Sequence, residues 1–461
     1  MEVSNKKMII IGLDCAAPQL LFDRWLDELP NIKKICQGGT HKILKSTIPP
    51  ITVPAWTSMM TSKDAGQLGF YGFRNRKSYG YEDLYFANAS VLKEKTVWNY
   101  LSINRFNSLI FGVPQTYPPK PLRGMMVASF LTPNKDVQYT YPDEIKYELD
   151  KVADGDYMID VDNFRTDKKD ELIKSIYTMT HRRFKAFRHF YKKEQPDFAM
   201  FVEMGIDRIH HGFWRYFDKT HRLYEKGNKY ENAILEYYKY IDEEVGKTLD
   251  LVDPETGVML VSDHGAKTMI GAICINEWLQ KEGYLTLKES PSKQTKLKMN
   301  MIDWNKTKVW GEGGYYSRIF FNVEGREPNG LIPSADYEKF RSEVISKLES
   351  ITDEDGNNIG TKVFKPENIY KKCKNIAPDL IVYIGNLDWR SAGSVGGGKI
   401  HLYENDTGPD DANHSENGIF IWNGKNLKDD ETYSIYDIAP TIMTYFGLDV
   451  PKDMIGKSLI K

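Results

Sequence analysis

The stretch Gly257-Val258-Met259-Leu260-Val261-Ser262-Asp263-His264-Gly265 does most to decide the fold of this 461-residue chain. Its first five residues form an apolar run that predicts a buried β-strand. Asp263 and His264 follow that strand directly, and Asp14 follows a second apolar run over 8–13. Open α/β sheets bind ligands beyond the carboxyl ends of their parallel strands, so we expect a functional site where these two runs end.

Working outward, helical and strand patterns alternate over the first 265 residues, with amphipathic segments at 168–193 and 229–250 around a strand at 198–203. This alternation predicts an α/β fold with a doubly wound, mostly parallel sheet flanked by helices. Residues 284–375 contain more strands and more glycine, which predicts a smaller inserted α+β lobe at the substrate mouth. We therefore expect a catalytic core of residues 1–283 plus 376–461. The sheet is expected to resume at 379–384 and to end with a strand at 418–422.

Composition excludes several classes of protein. Hydrophobic residues make up 41% and charged residues 27% of the chain, which is typical of a globular protein. A net charge of -2 gives no electrostatic reason to expect a nucleic-acid partner. The first apolar run is too short for a signal peptide, and no run reaches the eighteen or so residues of a membrane span. The four cysteines are scattered, which favours reduced thiols in the cytoplasm.

Acidic and imidazole side chains supply candidate metal ligands. Asp207 and His211 are four residues apart, so on a helix both side chains leave the same face. Taken singly, such residues are more often helix caps or satisfied core groups. Together they are enough for two shells of three protein ligands each. Asp and His in combination suit zinc or manganese better than calcium. The candidate ligands are Asp14, Asp207, His211, Asp263, His264 and His414.

Thr52 is the candidate nucleophile. It lies in Pro49-Pro50-Ile51-Thr52-Val53-Pro54, where three prolines predict a rigid loop, with a helix beginning just after Pro54. A hydroxyl is a weak nucleophile unless a base or a metal lowers its pKa. The alternative role for Thr52 is a helix cap. Thr57, Ser58 and Thr61 are rival hydroxyls that we expect on the following helix.

These features resemble the type I phosphodiesterase/nucleotide pyrophosphatase branch of the alkaline phosphatase superfamily, in the order in which that family presents them. Val113-Pro114-Gln115-Thr116-Tyr117-Pro118 and Asn276-Glu277-Trp278-Leu279 add to the likeness. The resemblance implies that Asp14, Thr52, Asp263 and His264 hold one zinc ion, with Thr52 also the nucleophile. It implies that Asp207, His211 and His414 hold the other.

The resemblance also implies an asparagine that binds a phosphoryl oxygen. Asn75 is the nearest match, and Arg74 is the alternative. His414 lies shortly before the expected strand at 418–422, where the superfamily places its last metal-binding histidine. His401 is the one competitor for this ligand position. With His414 there, His401 is expected on the substrate side or behind the ligands, and Lys399, Trp389 and Arg390 are expected to line the same mouth. His210 is expected to point away from the ligand face of its helix.

The function that follows is a metal-dependent phosphoric ester hydrolase with two divalent ions, zinc or alternatively manganese. It would cleave a phosphodiester or pyrophosphate bond of a small-molecule phosphate ester through a phospho-threonine intermediate. A phosphomonoesterase or a phosphomutase could use the same metals, and a mutase would need a second phosphate pocket rich in arginine. A sulfatase would carry Cys or Ser in place of Thr52. The alternative that is not an enzyme is a non-catalytic binding protein. The leaving group and the oligomeric state stay open.

Overall fold

The computed structural model describes residues 6–424 and 426–461. Its central feature is a nine-stranded sheet, and the strand that begins the chain lies in the middle of it. The strands, in order across the sheet, are Thr432–Ser434, Thr40–Lys45, Asn417–Trp422, Gly257–Val261, Met8–Leu13, Phe198–Glu203, Ser108–Phe111, Gly124–Val127 and Thr140–Tyr141.

The middle of this sheet is parallel. Met8–Leu13 pairs in parallel with Phe198–Glu203 on one side and with Gly257–Val261 on the other. All three strands are buried along their whole length, as expected for a sheet covered on both faces. Antiparallel pairing involves Asn417–Trp422, which lies between two other strands, and the edge strand Thr140–Tyr141. The predicted α/β fold with a mostly parallel sheet flanked by helices is confirmed.

The helices connect the strands and cover both faces of the sheet. The amphipathic segments predicted at 168–193 and 229–250 are helices, whereas the single helix predicted near residues 18–28 is two short pieces. The α-helices are Pro18–Leu21, Pro30–Gly38, Thr52–Thr61, Ala65–Leu68, Val97–Ile103, Ile145–Val152, Lys169–Glu194, Gly205–Phe217, Ala233–Leu249, Ile275–Lys281, Tyr337–Glu349, Pro366–Ile369 and Ile438–Tyr445. No helix within the described ranges is long and apolar enough to cross a membrane.

A second sheet lies in the later part of the chain and has its own hydrophobic cluster. Its four strands, in order, are Val309–Glu312, Ser317–Phe321, Leu380–Tyr383 and Lys362–Phe364. The strand expected to return the chain to the main sheet at 379–384 pairs here instead, antiparallel to both neighbours. Its apolar sequence is compatible with either sheet. Its pairing with Ser317–Phe321 and Lys362–Phe364 places it in the second sheet. The domain division at residues 283/284 and 375/376 stays a prediction.

Small strand pairs complete the fold around the carboxyl ends of the central strands. Gly265–Thr268 pairs with Ala412–Ser415, and Gly271–Cys274 lies between Trp389–Ala392 and His401–Leu402. Two further pairs face the same region: Arg74–Arg76 with Leu84–Phe86, and Thr295–Lys296 with Ser394–Val395. These pairs hold residues from distant parts of the chain next to the strand ends.

Candidate metal centre

Asp14, Asp263 and His264 come together at the ends of two neighbouring central strands. Met8–Leu13 ends directly before Asp14, and Gly257–Val261 ends two residues before Asp263. One ligand atom from each of the three residues lies within 4.8 Å of the other two, and all three side chains are buried. We call this group cluster A. The parallel register of the two strands is what brings the distant residues Asp14 and Asp263 together.

Asp207, His211 and His414 form a second buried group, cluster B, with ligand atoms within the same 4.8 Å. Asp207 and His211 lie one turn apart on the helix Gly205–Phe217, and His211 Nε2 is 3.2 Å from Asp207 Oδ1. His414 Nε2 lies 3.2 Å from His211 Nε2. Three ligand atoms of different residues thus point at one place.

The two clusters lie side by side. The imidazole rings of His264 and His414 stack with their centroids 3.8 Å apart. Pairing of Gly265–Thr268 with Ala412–Ser415 sets this contact, because it places Ala266 opposite His414. The six predicted ligands therefore form one continuous buried centre with two groups of three.

Unpaired oxygens show that this centre fits divalent cations. Asp14 Oδ1, Asp207 Oδ1 and Asp263 Oδ2 are buried and accept no hydrogen bond from any described residue. Burial, together with the neighbouring Asp207 carboxylate, raises the pKa of Asp14 well above its ordinary value. Burial and the charge of Asp14 likewise raise the pKa of Asp263. Buried carboxylate oxygens without a hydrogen-bond donor are costly, and a coordinated cation removes that cost.

The imidazoles are oriented as metal-ligating histidines usually are, with the outer nitrogen held by an acceptor. His211 Nδ1 lies 2.7 Å from Asp410 Oδ1, and His414 Nδ1 lies 2.9 Å from the carbonyl oxygen of Pro50. His264 Nδ1 is 3.1 Å from the carbonyl oxygen of Gly265. With Nδ1 donating in each case, Nε2 is free to bind a metal on the inner side of the centre.

Charge differs between the clusters. Burial lowers the pKa of His264 to about 4, so this ring is neutral near pH 7. Burial also opposes protonation of His211, but the carboxylates of Asp410 and Asp207 outweigh it and raise its pKa to about 9. Burial raises the pKa of Asp207, but His211 and Arg208 outweigh it and hold the pKa well below its ordinary value. A cation entering cluster B would displace the His211 proton.

Thr52 stands next to cluster A. Its Oγ1 lies 3.4 Å from His264 Nε2. The helix begins at Thr52 and not after Pro54 as predicted, because a proline in the first turn removes an N–H that has no helical partner anyway. Thr52 does not cap the helix, since the residue before the first turn is Ile51.

The rival hydroxyls are occupied or enclosed. Thr57 Oγ1 donates to the carbonyl oxygen of Val53 at 2.7 Å, and Thr61 Oγ1 donates to that of Thr57 at 2.7 Å. Ser58 is fully buried, and its hydroxyl has no partner among the described residues. Of these four hydroxyl residues only Thr52 lines the cavity described next.

A cavity of about 1240 Å³ opens in front of the centre, with Thr52, Asp207 and His414 in its lining. Segments 294–299 and 311–316 form part of the wall. Both lie within residues 284–375, whose assignment as an inserted lobe stays a prediction. Arg74 and Arg390 also line it. The volume exceeds that of a typical small-ligand site and admits a substrate of considerable size.

Three predicted substrate residues lie elsewhere. The Asn75 side-chain oxygen accepts from Tyr71 N at 2.7 Å and its nitrogen donates to Gly72 O at 2.9 Å, so its amide closes a turn. His401 Nε2 lies 2.7 Å from the carbonyl oxygen of Thr352. Asn75, His401 and Lys399 are absent from the lining of the cavity. The structure thus brings the six candidate ligands and Thr52 together but not these three. It places Arg74, the alternative to Asn75, in the cavity lining, together with Arg390, which was expected near the mouth.

His210 behaves as predicted for a residue that points away from the ligand face. Its ring stacks with Tyr238, with ring centroids 5.7 Å apart, and its Nε2 lies 3.2 Å from the Tyr238 hydroxyl. Burial lowers its pKa to about 3.

Sequence reasoning missed the residues that orient the ligands. Asp410 holds His211, Trp56 Nε1 donates to Asp14 Oδ2 at 2.7 Å, and the Cys15 amide donates to Asp263 Oδ1 at 3.2 Å. Cys15 has a positive φ of 65°, a backbone conformation uncommon outside glycine, in the turn that follows the first strand. An acidic pair just before His414 was the one indication in the sequence.

Comparison with known proteins agrees with this geometry. The family model described as type I phosphodiesterase/nucleotide pyrophosphatase matches residues 8–410. The chain belongs to this family. It is therefore a phosphoric ester hydrolase of the alkaline phosphatase superfamily, and family members use a divalent metal centre. The match to the family model ends at residue 410, four residues before His414, so the place of His414 in cluster B rests on the structure.

Two solved structures show the family fold at low sequence identity. Phosphonoacetate hydrolase from Sinorhizobium meliloti 1021, in complex with phosphonoacetate, is 13% identical with a TM-score of 0.62, covering 96% of this chain and 95% of that one. Murine ectonucleotide pyrophosphatase/phosphodiesterase 5, an inactive threonine-to-alanine variant in complex with AMP, is 11% identical with a TM-score of 0.54. That comparison covers 97% and 96% of the two chains.

One curated relative matches over a short segment. The 2,3-bisphosphoglycerate-independent phosphoglycerate mutase of Malacoplasma penetrans (strain HF-2) is 37% identical over 60 residues. The match spans 13% of this chain and 12% of that enzyme.

Proposed function

We propose that this enzyme hydrolyses a phosphodiester or pyrophosphate bond of a small molecule through a covalent intermediate on Thr52. The observation that carries the proposal is the position of Thr52 Oγ1, 3.4 Å from His264 Nε2 and in the lining of the cavity. The murine relative described as inactive carries alanine in place of a threonine, which supports a threonine that is needed for activity here.

Two divalent cations, zinc or alternatively manganese, are the proposed cofactors. Asp14, Asp263 and His264 would hold one cation with Thr52, and Asp207, His211 and His414 the other. Bound cations lower the pKa of a coordinated hydroxyl and neutralise charge on phosphoryl oxygens. Mixed carboxylate and imidazole ligands favour zinc or manganese over calcium.

The chemistry of the chain's own residues follows from their places. Thr52 Oγ1 attacks phosphorus, the new P–Oγ bond forms, and the bond from phosphorus to the leaving oxygen breaks. The leaving group takes a proton from solvent, which receives the threonine proton. Water then attacks phosphorus, breaks the P–Oγ bond and returns a proton to Thr52. Asp410, Trp56 and the Cys15 amide keep the ligating side chains in position throughout.

A phosphomutase is the second candidate. The short match to a phosphoglycerate mutase favours it, and so do the arginines in the cavity, since a mutase needs a second phosphate pocket. We place Thr52 at the centre of either reaction. The two differ in their substrates, because a mutase acts on phosphate monoesters and returns the phosphoryl group to an acceptor.

Hydrolysis of bis-p-nitrophenyl phosphate and p-nitrophenyl phosphate, with added zinc or manganese and with chelator, tests the proposal. We expect a higher kcat/KM for the diester and loss of activity with chelator. A clear monoester preference would assign the protein to the phosphatase or mutase alternative.

The four cysteines are free, three of them buried and Cys373 exposed. Free thiols support the cytoplasm as the proposed compartment, because an oxidising environment favours disulfides.

A further inference from the structure

The cavity in front of the metal centre has an excess of positive charge. Seven arginine and lysine side chains line it against four carboxylates, whereas the whole chain has a net charge of -2. The lining cations are Arg74, Arg165, Arg208, Lys296, Lys298, Arg318 and Arg390. Positive charge gathered in a concave site attracts an anionic ligand.

Three of the seven cations are neutralised within the protein. Arg165 pairs with Asp410 at 2.8 Å, Arg208 with Asp160 at 2.5 Å, and Arg318 with Glu312. These pairs hold the wall in place and leave little charge for a ligand.

The other four cations lack a carboxylate at hydrogen-bonding distance. No described carboxylate lies within 4.0 Å of Arg74, Lys296 or Lys298. The nearest carboxylate to Arg390 is Asp406, at 3.8 Å, and the hydrogen bond from Arg390 to Thr407 is long at 3.3 Å. The unpaired charge of the cavity is thus concentrated on these four residues.

Arg390 is the most informative of them, because it is 5% exposed and its Nε has no hydrogen-bond partner among the described residues. A buried guanidinium with an unused donor is costly unless a ligand completes its shell. Its neighbour is Tyr315, whose ring centroid lies 5.8 Å from the guanidinium and 4.3 Å from the His414 ring centroid. Arg390 therefore lies one aromatic ring away from cluster B.

Strand pairing fixes this arrangement. Gly314 N donates to Ser391 O at 2.8 Å, which sets Tyr315 beside Arg390. Lys296 pairs with Ser394 on the next small strand, so it lies on the same wall, farther toward solvent. Arg74 lies on the hairpin Arg74–Arg76 with Leu84–Phe86 and is exposed.

We propose that Arg390 is a specificity-determining residue that binds a second anionic group, a carboxylate or a phosphate, on the leaving group of the substrate, with Arg74, Lys296 and Lys298 around it at the mouth. This proposal rests on the proposed function, since it assumes a phosphoryl group at Thr52. Guanidinium binds planar anions with two parallel hydrogen bonds, which suits either carboxylate or phosphate.

The test uses three methyl phosphodiesters whose leaving groups are phloretate, its neutral amide and tyrosol phosphate. The propionate arm separates the charge from the phenol, so the leaving-group reactivities are matched. With metal-loaded enzyme we expect kcat/KM for the phloretate or tyrosol phosphate diester to exceed that for the amide by about 10-fold or more. The charged diester with the larger ratio of kcat/KM to that of the amide diester shows whether the site prefers a carboxylate or a phosphate.

Arg390→Met should bring that ratio close to one, and Arg390→Lys should keep part of it. Lys296→Met should lower the ratio about two- to threefold, as expected for an exposed charge. Lys293→Met is the matched control, because Lys293 is exposed and does not line the cavity, and it should leave the ratio as it is. Thermal unfolding of each variant shows that it is folded.

Equal rates for all three diesters in the wild-type enzyme, or a ratio that survives Arg390→Met, would overturn the inference. Titration calorimetry with free phloretate and with free tyrosol phosphate, on the metal-loaded protein, tests the anion site independently of the proposed hydrolysis. Phloretate binding that Arg390→Met removes supports the anion site even if no diester is hydrolysed. Hydrolysis of the amide, with no binding of either free phloretate or free tyrosol phosphate, supports the proposed function and contradicts the anion site.

Discussion

Asp410 Oδ1 lies 2.7 Å from His211 Nδ1, and Arg165 lies 2.8 Å from the other oxygen of the same carboxylate. The carboxylate is fully buried at the side-chain level, and His211 in turn directs its Nε2 toward Asp207 and His414. Asp410 thus fixes the orientation of the His211 ring in cluster B.

Asp410→Asn should weaken metal binding at cluster B. The amide cannot provide the negative charge that favours ligation by His211, and such partners typically change metal affinity 10- to 100-fold. Activity measured against free metal concentration should show the midpoint moving upward by roughly that factor. Asp388→Asn is the control, since Asp388 pairs with Lys267 on the surface. An unchanged midpoint for Asp410→Asn would show that Asp410 does not support metal binding at cluster B.

Thr52→Ala should lower kcat by about a thousandfold or more, because it removes the nucleophile while Asp14, Asp263 and His264 remain. Thr52→Ser should keep measurable turnover, since the oxygen is retained. Thr57→Ala is the matched control, because the Thr57 hydroxyl is hydrogen-bonded within the helix. Near-normal turnover by Thr52→Ala would mean that another group attacks phosphorus.

Metal removal should cost both activity and stability. Stripping the protein with a chelator leaves the buried carboxylates of Asp14 and Asp263 without a metal cation, and Asp207 with only its pairs to Arg208 and His211. Ligand present at about a thousand times its Kd stabilises the folded state by about 4 kcal/mol, so Tm should fall clearly on chelation. Zinc or manganese should restore both quantities, and calcium should not. If neither Tm nor activity changes on addition of the chelator, the proposed metal centre is contradicted.

Asp411→Asn should stabilise the protein above pH 6. Burial raises the pKa of Asp411 from 3.8 to about 6, so the folded state holds more protons than the unfolded state between these values. Asp411 therefore makes the wild-type protein lose stability as pH rises from about 4 through 6, so the stability of the asparagine variant relative to the wild type should increase over that range. Urea unfolding between pH 4 and pH 8 measures this. A variant that is less stable throughout would show that the attraction of Arg215 and Lys169 outweighs burial.

The candidate metal ligands could be predicted because their spacing carries information. Asp207 and His211 share a helix face four residues apart, and Asp14 and Asp263 each follow an apolar run at a strand end. The central sheet followed from the same runs, since fully buried parallel strands are continuous stretches of apolar residues.

Other features depend on contacts between distant residues. The strand Leu380–Tyr383 is apolar enough for either sheet, and its partners Ser317–Phe321 and Lys362–Phe364 decide which. The resemblance implies a substrate role for Asn75, but its amide closes a local turn. His401 and Lys399 are expected at the mouth from their place near the Gly-rich stretch, but His401 contacts Thr352. Arg390 was one residue among several near the mouth until strand pairing placed it beside Tyr315.

The most direct test of the central claim is the stereochemical course at phosphorus. A chiral phosphorothioate diester is hydrolysed in oxygen-18 water by the metal-loaded enzyme, and the configuration of the product is determined. Two in-line displacements, first by Thr52 and then by water, predict net retention of configuration. Net inversion would mean a single displacement by water and would contradict a covalent intermediate on Thr52.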